Sequence, residues 1–219
     1  MDPHKITFIM CVNDEAQFRE AVLYLRHLWI PSGMTAEILP IGGASSMCAG
    51  YEQGRLAAAD AKYKVYMHQD VLVIRKNLIE ELLQLFADPR VGLIGLAGCE
   101  QLPPSGIWWD GQGLHNKVAH ALRAEHISVP SENVPKCRVQ AVDGVLLATQ
   151  YDIPWRADLL TGWHFYDISI SQEYRGQGYE VMLPRQDEPW IIHQTKHSMA
   201  GEDYEEQRQI FLQAYRRFY

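Results

Sequence analysis

Residues 64–73 read KVYMHQDVLV. Val65, Tyr66 and Met67 have the β-branched, aromatic and apolar character of a buried strand, and the polar triplet His68-Gln69-Asp70 ends it before apolar residues resume at Val71. A carboxylate between two apolar stretches needs a reason to be there. One is a divalent cation, since Mg²⁺ or Mn²⁺ takes oxygen ligands and shares one or two carboxylates with a diphosphate. The other is a capping Asp at a strand-to-loop corner. Read upstream, the same unit recurs. Residues 47–61 are rich in helix formers and small residues, Gly42-Gly43-Ala44-Ser45-Ser46 is a loop, and residues 36–41 are a second strand. Before them, Phe18, Val22, Leu25, Leu28 and Trp29 follow a helical period, capped by Asn13 or Asp14 and stopped by Pro31-Ser32-Gly33, behind a first strand at residues 6–12. Downstream, residues 78–86 form a helix stopped by Asp88-Pro89, and residues 91–97 a fourth buried strand.

Strands alternating with helices predict an α/β fold: a mostly parallel, mixed sheet with helices on both faces. Ligands of such sheets bind at the carboxyl ends of the strands. Those ends are residues 11–13, 41–43 and 68–70, where the polar side chains gather.

The regular pattern breaks between residues 98 and 138, where Pro103-Pro104-Ser105-Gly106 and Asp110-Gly111-Gln112-Gly113 mark turns around Ile107-Trp108-Trp109. Residues 138–149 read as one strand interrupted by Asp143-Gly144; a helix starts near Asp167, a strand runs through 179–183, and a short apolar stretch, 190–193, ends in His193. Residues 202–219 read as an amphipathic helix with Ile210, Phe211, Ala214, Tyr215 and Phe218 on one face, acidic at its start and closed by Arg216-Arg217.

The 219 residues suit one domain. Hydrophobic residues at 47% and charged ones at 21% exclude disorder, and a net charge of −7 argues against nucleic acid as the main partner. No apolar run reaches the roughly 18 residues of a membrane span. Cys11, Cys48, Cys99 and Cys137 show no close-spaced pair and sit among apolar or small residues, as free thiols of a reducing cytosol do. A cytoplasmic location is the expectation.

Taken singly, the chemistry-bearing residues stay ambiguous. Asp167 reads as a helix-opening acid, His193 as a core or surface histidine, and Trp108-Trp109 as core or lid anchors or as a sugar-stacking platform. Their order is more telling. The first strand running into Asn13-Asp14-Glu15, the small-residue helix Met47-Cys48-Ala49-Gly50-Tyr51-Glu52-Gln53-Gly54, the His68-Gln69-Asp70-Val71 segment, Val142-Asp143-Gly144, Tyr166-Asp167 spaced from Gly178-Tyr179, and the late His193 succeed one another along most of the chain. In this the sequence resembles the inverting family-two glycosyltransferases of GT-A fold, most closely their bacterial glycosyltransferase-like branch, whose metal motif takes the form HQDV.

The resemblance implies a single nucleotide-diphospho-sugar transferase domain, with residues 1–97 as nucleotide-binding half, 98–200 as acceptor-binding half, and 201–219 as the terminal helix. It implies a UDP-linked sugar as donor and a glycan or other hydroxyl as acceptor. Mn²⁺ or Mg²⁺ is held by Asp70 and His193, with Asp167 as general base and Asp143 as its rival or as a ligand of sugar hydroxyls. Cys11, Asn13, Glu15, Gly42, Tyr51, Gly54, His68 and Gln69 would frame the nucleotide, and Trp108, Trp109 and His164 the acceptor. The sequence departs from the pattern at three places. The second strand ends in Ile41-Gly42-Gly43-Ala44 without acidic residues, the metal motif carries one carboxylate, and Tyr166 stands where the family has Glu. A binding module of the same fold is therefore the alternative. A nucleotidyltransferase is the second, disfavoured because acidic Asn13-Asp14-Glu15 follows the first strand where such enzymes carry a basic, glycine-rich loop. The terminal helix is left with three fates: packing on its own core, pairing two chains as a homodimer, or lying on a membrane-bound acceptor system.

Overall fold

The computed structural model describes residues 1–123, 126–128, 136–194 and 203–216. Its first half follows the predicted alternation: β1 (Asp2–Val12), α1 (Glu15–Leu25), β2 (Thr35–Gly42), α2 (Met47–Ala57), β3 (Ala61–Met67), β4 (Val71–Val73), α3 (Leu78–Phe86) and β5 (Val91–Ile94). Short strands follow: β6 (Ala97–Gln101), β7 (Gln112–Asn116), β8 (Ala119–Arg123), β9 (His126–Ser128), β10 (Cys137–Val139), β11 (Ala141–Val142) and β12 (Leu146–Thr149). The chain continues with α4 (Tyr166–Gly176), β13 (Glu180–Leu183), β14 (Ile191–His193) and α5 (Tyr204–Ala214).

The helices start where capping chemistry allows. Asp14 accepts from the backbone N–H of Ala16 and Gln17 at 2.9 and 3.1 Å, and Ser46 accepts from that of Ala49 at 3.1 Å. The central sheet has the order β10-β13-β5-β12-β3-β1-β2. Ile6, Thr7, Phe8, Ile9 and Met10 of β1 are all buried, which marks a strand covered on both faces. β1 runs parallel to β2 and β3, and β13 parallel to β5. The result is an α/β fold with a mixed sheet flanked by helices.

In the central sheet β12 inserts between β3 and β5 antiparallel to both, pairing Leu146 with Met67 and Ala148 with Ile94. Two expectations change. Residues 138–149 are not one strand but parts of three. Cys137–Val139 borders β13, Ala141–Val142 joins β6 and β7 in a small sheet, and the turn at Asp143-Gly144 sends Leu146–Thr149 into the central sheet. The terminal helix is shorter than read. Phe211 and Tyr215 are buried, Ala214 is exposed, and residues 217–219, with Arg217 and Phe218, lie outside the described residues. Its described part packs on its own domain, the Phe211 ring stacking on Phe165 and the Tyr215 hydroxyl reaching Ser169 and Glu173. Among the described residues no helix is long and apolar enough to cross a membrane.

Candidate active site

The carboxyl ends of β1, β2 and β3 open into a cavity of about 250 Å³, lined by Cys11, Asn13, Ile41, Gly43, Tyr51, Gln69 and others. Gln69 holds this end together. Its side-chain oxygen accepts from the backbone N–H of Asn13 and of Asp14, both at 2.9 Å, and its amide donates to the Asn13 side chain. Gly50 lies so close to Cys11 that an added Cβ would sit 2.3 Å from its sulfur, so α2 rests directly on the end of β1. Tyr51 is fully buried, and its hydroxyl has no hydrogen-bond partner among the described residues. A buried, unsatisfied hydroxyl at a cavity wall fits one that a ligand completes.

A larger cavity of about 580 Å³ adjoins it, sharing Met47, His68, Asp70 and Trp163 as lining residues. Asp70 stands between β3 and β4, immediately before Val71. β4, the next segment, pairs antiparallel with β14, placing His193 opposite Val71, while the Gln194 N–H donates to the Asp70 carbonyl at 3.0 Å. This register brings His193 Nε2 to 3.4 Å from the Asp70 carboxylate. His68, Asp70 and His193 present ligand atoms within 4.8 Å of one another. Two imidazoles and a carboxylate are a donor set suited to a first-row divalent cation. Burial works against the Asp70 charge, yet the His193 hydrogen bond and the nearby imidazoles hold its carboxyl below the ordinary range. Burial, then the neighbouring His193 imidazole, keep the pKa of His68 low, which favours the neutral form that a ligand must take.

Asp167 lies in the first turn of α4, two residues past the cap; the capping position belongs to Phe165, whose φ of 61° is left-handed. That conformation is costly for a side chain with a Cβ and is sustained by packing on Tyr204 and Phe211. The Asp167 carboxylate accepts from the N–H of Gly144 and of Ile168, both at 2.9 Å. Burial, then the charge of Asp143, push its pKa up to about 7 against those two bonds. Asp143 lines the same cavity and accepts from the Val145 N–H at 2.9 Å. The two carboxylates and the His68/Asp70/His193 group therefore share one cavity.

Trp108, Trp109 and His164 also line it. Trp108 and Trp109 meet edge to face at 5.8 Å, and His164 stands edge-on to Tyr204 at 5.1 Å. Burial keeps the pKa of His164 low. Among the lining residues that the sequence does not single out are His120, Trp163 and Tyr204. His120 pairs with His193 across β8 and β14, with ring centroids 5.7 Å apart; Trp163 is 42% exposed where the two cavities meet; and Tyr204 comes from α5. The Trp163-His164 sequence beside Asp167 was a signal for Trp163, whereas nothing local marks His120 or Tyr204. Conversely, Glu15, Gly42 and Gly54 line neither cavity. Glu15 pairs with Arg19 on the outside of α1, Gly42 closes β2, and Gly54 gives α2 its close approach to Ile9.

A family model described as "Glycosyltransferase like family" matches residues 7–215. No curated protein matches the chain. Among solved structures, the mannosyltransferase PcManGT from Pyrobaculum calidifontis, in complex with GDP-Man and Mn²⁺, aligns with 99% of this chain and 65% of its own at 12% identity and a TM-score of 0.57. Residues 1–349 of S. aureus TarS, in complex with UDP, align with 87% of this chain and 60% of that one at 8% identity and a TM-score of 0.55. The chain thus spans less than two thirds of either structure, and at these identities the likeness is one of fold.

Proposed function

The chain belongs to the glycosyltransferase-like family, and from that premise we propose that it is a metal-dependent, inverting glycosyltransferase moving a sugar from a nucleoside-diphosphate sugar, with UDP-sugars the first donors to test, to an acceptor hydroxyl. The observation that carries this reading is the shared cavity: a carboxylate with a pKa near 7 faces the same space as a carboxylate with two imidazoles. The smaller cavity at the strand ends has the position expected of a nucleotide pocket, and the larger, aromatic-walled one that of an acceptor.

The residues divide the work by chemistry. Asp70, His193 and His68 would hold the divalent cation. A bound cation neutralises charge developing on a diphosphate leaving group. Asp167 takes the proton of the acceptor hydroxyl as its oxygen attacks the anomeric carbon. Its two backbone hydrogen bonds fix the carboxylate, and burial makes it a stronger base than a solvated one. One base suffices for direct displacement with inversion, whereas retention by double displacement needs a separate nucleophile. Asp143 is positioned to bind sugar hydroxyls and to keep Asp167 basic. Trp163 and Trp109 offer faces on which a sugar ring can stack.

Transfer from a panel of nucleotide sugars with Mn²⁺ tests the proposal. Asp167→Asn is expected to abolish transfer while UDP still raises the melting temperature in the presence of metal, and Asp70→Ala to weaken that UDP effect. Near wild-type transfer by Asp167→Asn removes Asp167 from the role of base, and the same loss on Asp143→Asn alone reassigns it. A UDP- and metal-dependent rise in melting temperature without turnover on any donor identifies a binding module instead.

A further inference from the structure

Glu100, His115 and Cys137 come from three strands, β6, β7 and β10, and none of them lines either cavity. Their ligand atoms nonetheless lie within 4.8 Å of one another. Strand register explains the meeting. β6 and β7 pair antiparallel with Gly98 opposite His115 and Gln101 opposite Gln112, so Glu100 stands diagonally across from His115 on the same face. Gly113, at φ 62°, leaves room for the Glu100 side chain, three carbons of which would lie 2.8 Å from a Cβ there. The Glu100 carboxylate meets His115 Nε2 at 2.8 Å. Cys137 arrives from the edge of the central sheet, where it pairs with Leu183 of β13. Three residues on, the Gln140 N–H donates to the Cys99 carbonyl at 2.9 Å, which ties the end of β10 to β6 beside Glu100. Cys137 is a free, half-buried thiol. Burial, then the Glu100 charge, push it up to about 11, which argues against a nucleophilic thiolate.

We propose that Glu100, His115 and Cys137 form a second cation site, outside both cavities, that takes Zn²⁺ or a similarly thiophilic divalent ion and fastens β10 to the β6–β7 hairpin. Thiolate, imidazole and carboxylate are the protein donors that zinc accepts, and three of them leave a fourth position for water. Mg²⁺ takes oxygen donors and gains nothing from a sulfur. Two ligands on a tetrahedral zinc stand roughly 3.3 Å apart for bonds of about 2.0 Å, so the gap between His115 and Glu100 opens only slightly to admit the ion. On binding, a sulfur–zinc bond forms and the Cys137 thiol proton passes to solvent. His115 ligates through Nε2 in the tautomer that keeps its ring proton on Nδ1. The hairpin carries Trp108 and Trp109 between its strands and Asn116 at its end, and all three line the larger cavity, so the clip braces that wall from outside. The site stands apart from the Asp70 group, and neither needs the other.

The test is titration of the fully reduced full chain with Co²⁺, a spectroscopic stand-in for zinc, followed by displacement with Zn²⁺. Wild-type protein is expected to develop a near-ultraviolet thiolate-to-cobalt charge-transfer band that Zn²⁺ removes. The His68/Asp70/His193 group has no sulfur and cannot give that band, so Asp70→Ala is expected to leave it within two-fold in affinity. Cys137→Ser is expected to abolish it, and His115→Ala and Glu100→Gln each to weaken binding about ten-fold or more. In the Asp70→Ala background Zn²⁺ is expected to raise the melting temperature, and the rise to vanish when Cys137→Ser is added. Absence of the band from wild-type protein overturns the proposal, as does a band that survives Cys137→Ser, which would belong to Cys11, Cys48 or Cys99. Affinity unchanged within two-fold in either His115→Ala or Glu100→Gln overturns the three-ligand set. A band without a rise in melting temperature overturns the clip, and a band lost on Asp70→Ala overturns the separateness of the two sites.

Discussion

At the scale of the residue, the Asp167 carboxylate is pulled in opposite directions. Burial and the Asp143 charge raise its pKa to about 7, while the N–H groups of Gly144 and Ile168 pull it down. A base whose pKa lies near the working pH is efficient, and removing such a group typically costs about 10²- to 10⁴-fold in rate. The same shift is a statement about stability. The folded pKa lies above the unfolded value of about 3.9, so the native state binds the proton more tightly, and the stability it contributes at low pH is lost as pH rises from about 4 through about 7. Asp167→Asn cannot ionise. In metal-free protein its urea midpoint should gain on wild type steadily from pH 4 to pH 7 and level off above; a margin that does not change with pH would contradict the raised pKa. Asp70, Asp143, Asp167 and His193 were legible because each is a polar group set against an apolar run. His120 and Tyr204 were not, since only strand pairing and helix packing bring them in. The His of His68-Gln69-Asp70 and the Tyr of Tyr166-Asp167, read separately as departures from the pattern the sequence resembles, turn out to touch.

Elements position these residues through a few specific bonds, and Gln69 shows how far a small number reaches. Its side chain joins the end of β3 to the end of β1 through the Asn13 and Asp14 N–H groups and the Asn13 side chain. The groups it serves are exposed, so water can replace it, and the net worth of such bonds is about 0.5–1.5 kcal/mol each. Gln69→Ala should therefore lower unfolding free energy by about 1–2 kcal/mol while weakening UDP binding about ten-fold, the cost of one misplaced polar contact. Denaturant melts and UDP titration measure both. An unchanged UDP affinity would show that this staple does not shape the nucleotide pocket. The polar end of β3 was readable because an apolar run stops there; that Gln69 points back to β1 was not, because sequence alone does not say which neighbour a strand end faces. Residues 138–149 failed for a related reason. Arg138, Ala141 and Leu147 look like one strand locally, but each segment finds a different partner, and only the Asp143-Gly144 turn was visible.

Over the whole molecule, the alternation of strands and helices was enough to predict the α/β class, while the sheet order was not, since the antiparallel β12 between β3 and β5 comes from much later in the chain. The same long-range closure creates a feature that periodicity cannot reveal, a set of charges in the interior. Lys64, only 1% exposed, lies in the central strand β3, where its ammonium donates to the Ala61 carbonyl at 2.8 Å and pairs with Asp152 at 3.1 Å. Asp152 also takes Arg55 of α2 at 2.7 Å, Arg55 is forked onto Glu52, and Glu52 accepts the Trp155 N–H at 3.0 Å. Trp155 in turn packs on Tyr51 and Tyr66, at 4.9 Å from each, beneath the Tyr166 that lines the site. Asp152 is thus the common counter-charge for two cations. Removing one partner of a buried pair leaves the other uncompensated and costs about 3–5 kcal/mol; the Asp152 carboxylate is 29% exposed, which places Asp152→Ala toward the lower end of that range. Asp152→Asn keeps the shape but not the charge and should lose nearly as much, because the buried Lys64 ammonium gains most from an anion. Glu37→Ala, which removes one of two exposed partners of Lys5, serves as the control and should leave the midpoint unchanged. Urea unfolding of the three variants decides the matter. If Asp152→Ala unfolds at the same midpoint as Glu37→Ala, the interior charges are adequately solvated, and the link from Asp152 through Trp155 to the site carries no energetic weight.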